Sequence, residues 1–170
     1  IPRTSGRLLC NGKEIDAQSI QQAQDMGIQT VYQDLALAPD LNVPCNIFLG
    51  REIIKQSFFG KLFNILDMKQ MEKISREHLA ELGIGLKSMT VPVKSLSGGE
   101  RQALAVAKAV AWCESVLIMD EPTAALGARQ QALVYSTMRA AADKDLGVIV
   151  ISHDIPKMLE VSDRIYIMRQ

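Results

Sequence analysis

Several signals that would mark a function class are missing from this chain. Its three cysteines, Cys10, Cys45 and Cys113, lie far apart with no CxxC pair, which disfavours zinc or redox centres and favours reduced thiols. No apolar run approaches the roughly 18 residues of a membrane span, and Ile1-Pro2-Arg3-Thr4 lacks the layout of a signal peptide. Lys+Arg and Asp+Glu are balanced at 19 each, so there is no basic excess of the kind a nucleic-acid face requires. There are no internal repeats and no low-complexity segments. A start at Ile1, with no methionine, suggests a fragment or a processed chain. What is present is a 170-residue sequence, 48% hydrophobic, enough for one compact domain or a core with a smaller lobe.

In chain order, Arg7 to Cys10 reads as a short strand entering a hairpin turn at Asn11-Gly12, with Lys13 to Asp16 returning. Ser19 can cap a helix running to Met26, stopped by Gly27. Ile28 to Tyr32 is strand-like and delivers Gln33-Asp34. Ala36 to Asn42 is loop, and Val43 to Leu49 is a short helix closed by Gly50. Arg51 to Asn64 has little periodicity and is expected to be mostly loop. Asp67 to Leu82 is an amphipathic helix, with Met71, Ile74, His78, Leu79 and Leu82 on one side. Thr90 to Lys94 links it to Leu96-Ser97-Gly98-Gly99-Glu100-Arg101-Gln102, which opens a helical run from Ala103 to Trp112. Strands are expected at Ser115–Met119, Val148–Ile151 and Arg164–Met168, alternating with helices at 128–142 and 155–160. Alternation with nearly all-apolar strands predicts an α/β fold, a parallel sheet covered on both faces. The stretch from about 36 to 111, helical and without strands, reads as an inserted α-helical lobe.

Two stretches carry chemistry. In Ser97-Gly98-Gly99-Glu100, Ser97 and Glu100 have capping-box spacing, which alone means only a well-made helix start. A cap does not need two glycines, whereas an anion approaching bare backbone amides does. Val116 to Met119 then reads as a buried strand delivering Asp120, Glu121 and Pro122 to the edge where open α/β sheets bind ligands. One carboxylate can hold a hydrated magnesium ion and a second can orient or deprotonate water. His153, after Val148–Ile151, should emerge on the same rim, as should Gln33. A lone histidine is more often structural, as expected for His78 on its helix face. The weight lies in four strand ends converging. A phosphate-binding loop, G-x-x-x-x-G-K-[ST], is absent from these residues. Gly6 to Lys13 comes near, but five residues separate Gly6 from Gly12 and Glu14 stands where a hydroxyl is required. Gly83 to Ser88 also lacks the spacing and follows a helix.

With these motifs in view the chain resembles the ATP-binding subunits of ABC transporters. Leu96-Ser97-Gly98-Gly99-Glu100 is similar to the signature motif, Val116 to Glu121 to the Walker B strand with its glutamate, Gln33 to the Q-loop, and Ile151-Ser152-His153-Asp154 to the H-loop. Val31 to Pro39, Asn46 to Glu52 and Thr123 to Gly127 look most like importers of ribose, xylose and fructose. The resemblance implies a P-loop NTPase-like core, truncated at its N-terminus: residues 1–35 are the first part of the core, 36–111 the helical subdomain with the signature, and 112–170 the rest of the core.

It also implies ATP and Mg²⁺ as ligands. Glu121 would polarise the attacking water, Asp120 would hold magnesium through water, Gln33 would sense metal and γ-phosphate, and His153 would contact the γ-phosphate. Ser97, Gly98, Gly99 and Glu100 would meet the ATP of an opposite subunit. The implied partners are a transmembrane permease subunit, a head-to-tail homodimer or second ATPase domain, and, indirectly, a periplasmic or extracellular sugar-binding protein. The implied location is the cytoplasmic membrane face. The chain departs from the family pattern in Glu100 for the commoner glutamine, in Gly127 for a frequent aspartate, and in the absent P-loop. The expectation is therefore a piece beginning just after that loop and hydrolysing little ATP by itself. DNA-repair relatives would carry a long coiled coil, yet only 63 residues separate Gln33 from Ser97 and they hold no heptads. Translation-associated relatives would be basic. A non-catalytic oligomerising module is the remaining alternative.

Overall fold

In a computed structural model, residues 5–16, 19–124 and 126–168 are described. The chain opens with an antiparallel ribbon of β1 (Leu9–Cys10) and β2 (Lys13–Glu14). Asn11 and Gly12 turn it with φ of 50° and 75°, the consecutive left-handed pair that a two-residue hairpin of this hand requires. Helix α1 (Ile20–Asp25) begins where the Ser19 hydroxyl accepts from the Gln22 amide. Gly27 then turns at φ 76° into β3 (Ile28–Val31). A side chain at Gly27 would overlap Glu114, its Cβ 2.7 Å from that of Glu114. The Gly27 carbonyl accepts from the amides of both Glu114 and Ser115. This close approach starts β3 beside the later strand in register.

The helical lobe follows. Helix α2 (Val43–Ile47) is capped by Asn42 and buries four of its five residues, Asn46 among them. Asn46 is fully buried and satisfied. Its Oδ1 accepts from the Ala38 amide at 2.7 Å, and its Nδ2 donates to the carbonyls of Ala38, Leu41 and Asn42. The expected loop from Arg51 to Asn64 instead contains α3 (Phe58–Leu62), capped by Ser57, and Ile54 forms a bridge with Leu66. Periodicity missed α3 because an apolar stripe records burial, and this helix buries only Gly60 while Phe58, Phe59, Leu62 and Phe63 stay exposed. Helix α4 (Met68–Glu81), capped by Asp67, packs Met71 and Leu79 inward. His78 lies half-buried on its flank. A 3₁₀ turn at Val93–Ser95 leads to α5 (Gly98–Val110), longer at its N-terminus than the apolar run alone indicates. Trp112 ties the lobe to α5: its indole N–H donates to the Ile47 carbonyl at 2.9 Å and its ring meets Phe48 edge-on.

The core continues with β4 (Val116–Asp120), α6 (Ala128–Ala142), β5 (Gly147–Ile151) and α7 (Ile155–Val161). Strands β3, β4 and β5 form a parallel sheet in that order, with Val31 beside Met119 and Met119 beside Val150. Gln29, Val31, Leu117 and Met119 occupy its buried face, in one core with Leu104, Val106, Val134, Met138 and Ala141 of α5 and α6. Each large apolar side chain fully withdrawn there contributes roughly 1.5–3 kcal/mol.

On the opposite face Ile28, Thr30, Val116 and Ile118 of β3 and β4 are half-buried, but on the edge strand β5 Ile149 and Ile151 are not covered, each being more than half exposed. Nor is Arg164–Met168 a strand among the described residues. A run of apolar residues supplies a surface but not the ladder partner a strand needs. Here the segment lies across a cleft of about 950 Å³ from β5, lined by Val148, Ile149 and Ile151 on one side and Ile165 and Tyr166 on the other. No described helix is long and apolar enough to cross a membrane.

Candidate functional site

Parallel strands in register deliver their C-terminal ends to one rim, so the residues following Val31, Met119 and Val150 become neighbours. Gln33 stands exposed beyond β3. Asp120 ends β4, half-buried beside Ile151. Glu121 extends the ladder by one bond, its amide donating to the Ile151 carbonyl at 2.9 Å, and then turns away with φ 48°. A non-glycine residue in that region costs about 1–3 kcal/mol, and such strain persists only where surrounding structure enforces it. Here the next residue is Pro122, and the Glu121 carbonyl accepts from the Ala124 amide.

The turn brings the Glu121 carboxylate to His153 Nδ1 at 2.8 Å. His153 is held by its flanks: the Asp154 amide donates to Ser152 Oγ, and Asp154 caps α7 by accepting from the Lys157 amide. An ionised carboxylate only accepts, so Nδ1 carries the proton and Nε2 faces outward. The hydrogen bond that Nδ1–H donates to Glu121, reinforced by the carboxylate's charge, raises the His153 pKa above the ordinary 6.5. A raised folded value means that the pair's contribution to stability is complete below the ordinary imidazole pKa. That contribution fades as pH rises through the folded value. Nuclear magnetic resonance titration of His153 is expected to give a midpoint above 6.5, falling back toward it in Glu121→Gln. Identical midpoints in the two proteins would show that the pair does not form.

The Ser97 motif is a second, separate place. Ser97 Oγ accepts from the Glu100 amide and the Glu100 carboxylate accepts from the Ser97 amide, a complete capping box. These bonds hold the Glu100 carboxyl below its ordinary range. Arg101 Nη1 donates to the Leu96 carbonyl at 2.6 Å, bracing the approach. The two glycines differ in kind. A Cβ on Gly99 would lie 2.7 Å from Cβ of Gln130, so this glycine lets α5 and α6 touch. A Cβ on Gly98 would meet only Leu126, at 3.5 Å. Helix packing therefore accounts for Gly99, while Gly98 and the exposed Ser97 leave the helix start approachable. Among the described residues, no hydrogen bond or ion pair joins Ser97–Glu100 to Gln33, Asp120, Glu121 or His153.

Two residues that shape the rim carry no recognised motif. Asn46 pins Ala38 in the loop after Gln33, and Lys108 of α5 reaches the Ala36 carbonyl of the same loop. Their only sequence signals are a polar residue inside an apolar helix and a lone cation within Ala103 to Val110. For magnesium, the donors at hand are the Asp120 carboxylate and the Gln33 amide oxygen, hard oxygen ligands of the type it accepts. No cluster of three or more His, Cys, Asp or Glu that could hold a metal occurs among the described residues.

Comparison with known proteins identifies the fold and the family. A dimeric ATP-binding cassette, MJ0796 in a post-hydrolysis state bound to ADP and Pi, superposes with a TM-score of 0.66 over 90% of this chain and 65% of that one, at 21% identity. The fold is thus that of an ATP-binding cassette. The family model for ABC transporters matches residues 1–124, and the chain belongs to that family. Curated relatives include the fructose import ATP-binding protein FrcA of Rhizobium meliloti, 45% identical over 96% of this chain and 64% of its own length. The xylose/arabinose import ATP-binding protein XylG of Sulfolobus acidocaldarius is 42% identical, with 96% and 62% covered. A ribose import ATP-binding protein, RbsA 1 of Rubrobacter xylanophilus, is 35% identical, with 96% and 31% covered. The chain therefore spans less than two thirds of the length of these relatives.

Proposed function

We propose that this chain is part of an ATP-hydrolysing subunit that powers import of a monosaccharide through a membrane permease. The observation that carries the reading is the Glu121–His153 pair, set at the same sheet rim as Asp120 and Gln33. The fructose, xylose and ribose import functions in the relatives' names support the substrate class.

In this reading residues 1–35 and 112–170 belong to the catalytic core, and 36–111 form the helical subdomain that faces the permease. Glu121 orients water and draws off its proton. His153, its pKa raised, presents Nε2–H to the γ-phosphate while Nδ1 stays on Glu121. Asp120 and Gln33 would hold Mg²⁺, which when bound neutralises phosphate charge. The helix start at Ser97, Gly98 and Gly99, with Glu100 closing the cap, serves the nucleotide of an opposite subunit in a head-to-tail dimer. That reading is supported by the exposure of Ser97 and by the room over Gly98, where an added Cβ would meet only Leu126 at 3.5 Å. The dimer works at the cytoplasmic face of the membrane, indirectly served by a sugar-binding protein outside it.

A chimera tests this. The strand, P-loop and helix of a curated relative are joined ahead of residue 1, and ATP turnover and co-purification with that relative's permease are measured. Turnover and permease association are expected from the chimera, and little turnover from the 170 residues alone. A folded chimera that neither hydrolyses ATP nor binds the permease would refute the reading.

A further inference from the structure

We propose that Lys108 is a positioning residue that fastens the loop after Gln33 to α5, the helix that carries Ser97 to Gly99. The functional half of this inference rests on the ATPase reading above; the mechanical half does not.

Helix α5 is apolar from Ala103 to Val110 except at Lys108, the only charge in that run. The side chain is half-buried, and Nζ donates to the Ala36 carbonyl at 3.0 Å. No ion pair involves it among the described residues. Withdrawing an ammonium from water is unfavourable, and burial lowers the Lys108 pKa accordingly. A surface lysine would avoid that cost by turning outward, so the contact has to be worth holding.

Its target is unusual as well. Ala36 sits at φ 49°, a conformation disfavoured for any residue with a Cβ. Two residues further on, both polar groups of the Ala38 backbone are taken by Asn46. The segment leaving Gln33 is thus held from α5 by one side chain and from α2 by another, across a left-handed residue that would relax if released. Eleven residues, or about 16 Å of helix, separate Lys108 from Ser97, so a shift of the loop is transmitted along a rigid rod to the other phosphate-facing motif.

A plainer role also fits one fact: Lys108 lies in the last turn of α5, where a cation favours the helix dipole. Hydrogen exchange separates the two. In Lys108→Met of the full chain, amides at 34–38 are expected to exchange about tenfold faster, with recovery in Lys108→Arg. A purely helix-end role would instead loosen Ala111 and Trp112. If the methionine variant does not fold, Lys108→Gln, too short to reach, is expected to give the same local loosening.

In the chimera, Lys108→Met is expected to lower kcat about tenfold with KM unchanged. The double variant with Gln33→Ala should be no slower than Gln33→Ala alone, because both act through one group. Unchanged exchange at 34–38 in a folded variant would overturn the fastening, and multiplying kcat defects would overturn the positioning of Gln33. A chimera with no turnover at all counts against the ATPase reading, and the exchange result still decides the fastening.

Discussion

Replacing Glu121 by glutamine in the P-loop-completed chimera is expected to lower ATP turnover by about 10²–10⁴-fold, the range that a positioned general base supplies. The substitution keeps the side chain's size and leaves an amide oxygen near His153 Nδ1, so the 2.8 Å contact can survive in neutral form. What is lost is the capacity to accept a proton and the charge that raises the His153 pKa. Nucleotide affinity, carried by other groups, should stay within a few-fold. The expected pattern is a fall in kcat with little change in KM, the mark of an interaction made in the transition state. Turnover within threefold of the parent would mean that another group activates the water. The left-handed φ of 48° at Glu121 then becomes decisive, because a reduced rate with unchanged backbone conformation separates chemistry from relaxation of the strained turn. A crystal structure of the variant would supply that comparison.

The second large effect is structural. Asn46→Leu is expected to destabilise the chain by about 3–5 kcal/mol in urea unfolding, with an unchanged denaturant slope. Leucine matches asparagine in length and is apolar, so lost volume is not the issue. The loss lies in the polar partners: the Ala38 amide, and the carbonyls of Ala38, Leu41 and Asn42. Asn46 itself is 0% exposed, so water reaches its partners only if the loop opens. Each buried polar group left unpaired costs about 1–3 kcal/mol, and groups that share one side chain do not add fully. Because the loop runs on from Gln33, a folded variant should also show faster exchange at Ala38. A loss below about 1 kcal/mol would indicate that water replaces the side chain and that the network is dispensable.

Much of this architecture was legible from local rules. The hairpin at Asn11-Gly12, the caps at Ser19 and Asp67, the capping box at Ser97–Glu100 and helix 128–142 each depend on residues within a few positions of one another. The same is true of strands β3, β4 and β5, whose apolar character comes from burial in a parallel sheet. Where expectation and structure part, the deciding contact is distant or missing. Phe58 to Leu62 are helical without a buried stripe, so periodicity had nothing to register. Arg164 to Met168 are nearly all apolar, as a buried strand would be, yet among the described residues no strand pairs with them. On the sheet's second face the edge strand β5 leaves Ile149 and Ile151 exposed, because a strand's composition does not supply the element that covers it.

At the site, residue types alone determined the inventory: two adjacent carboxylates after an apolar strand, a histidine and a glutamine at strand ends, and a glycine pair behind a helix cap. Local chemistry fixes such motifs because spacing sets which groups a short segment can present together. Tertiary structure alone decided their relations. It joined Glu121 to His153 across two strands and showed Gly99 to be a packing glycine, with Gly98 left open. It also recruited Asn46 and Lys108 to hold a loop in which neither resides. Those relations arise from close packing between segments far apart in the chain, where one Cβ or one carbonyl in reach decides the outcome, and no local pattern carries that distance.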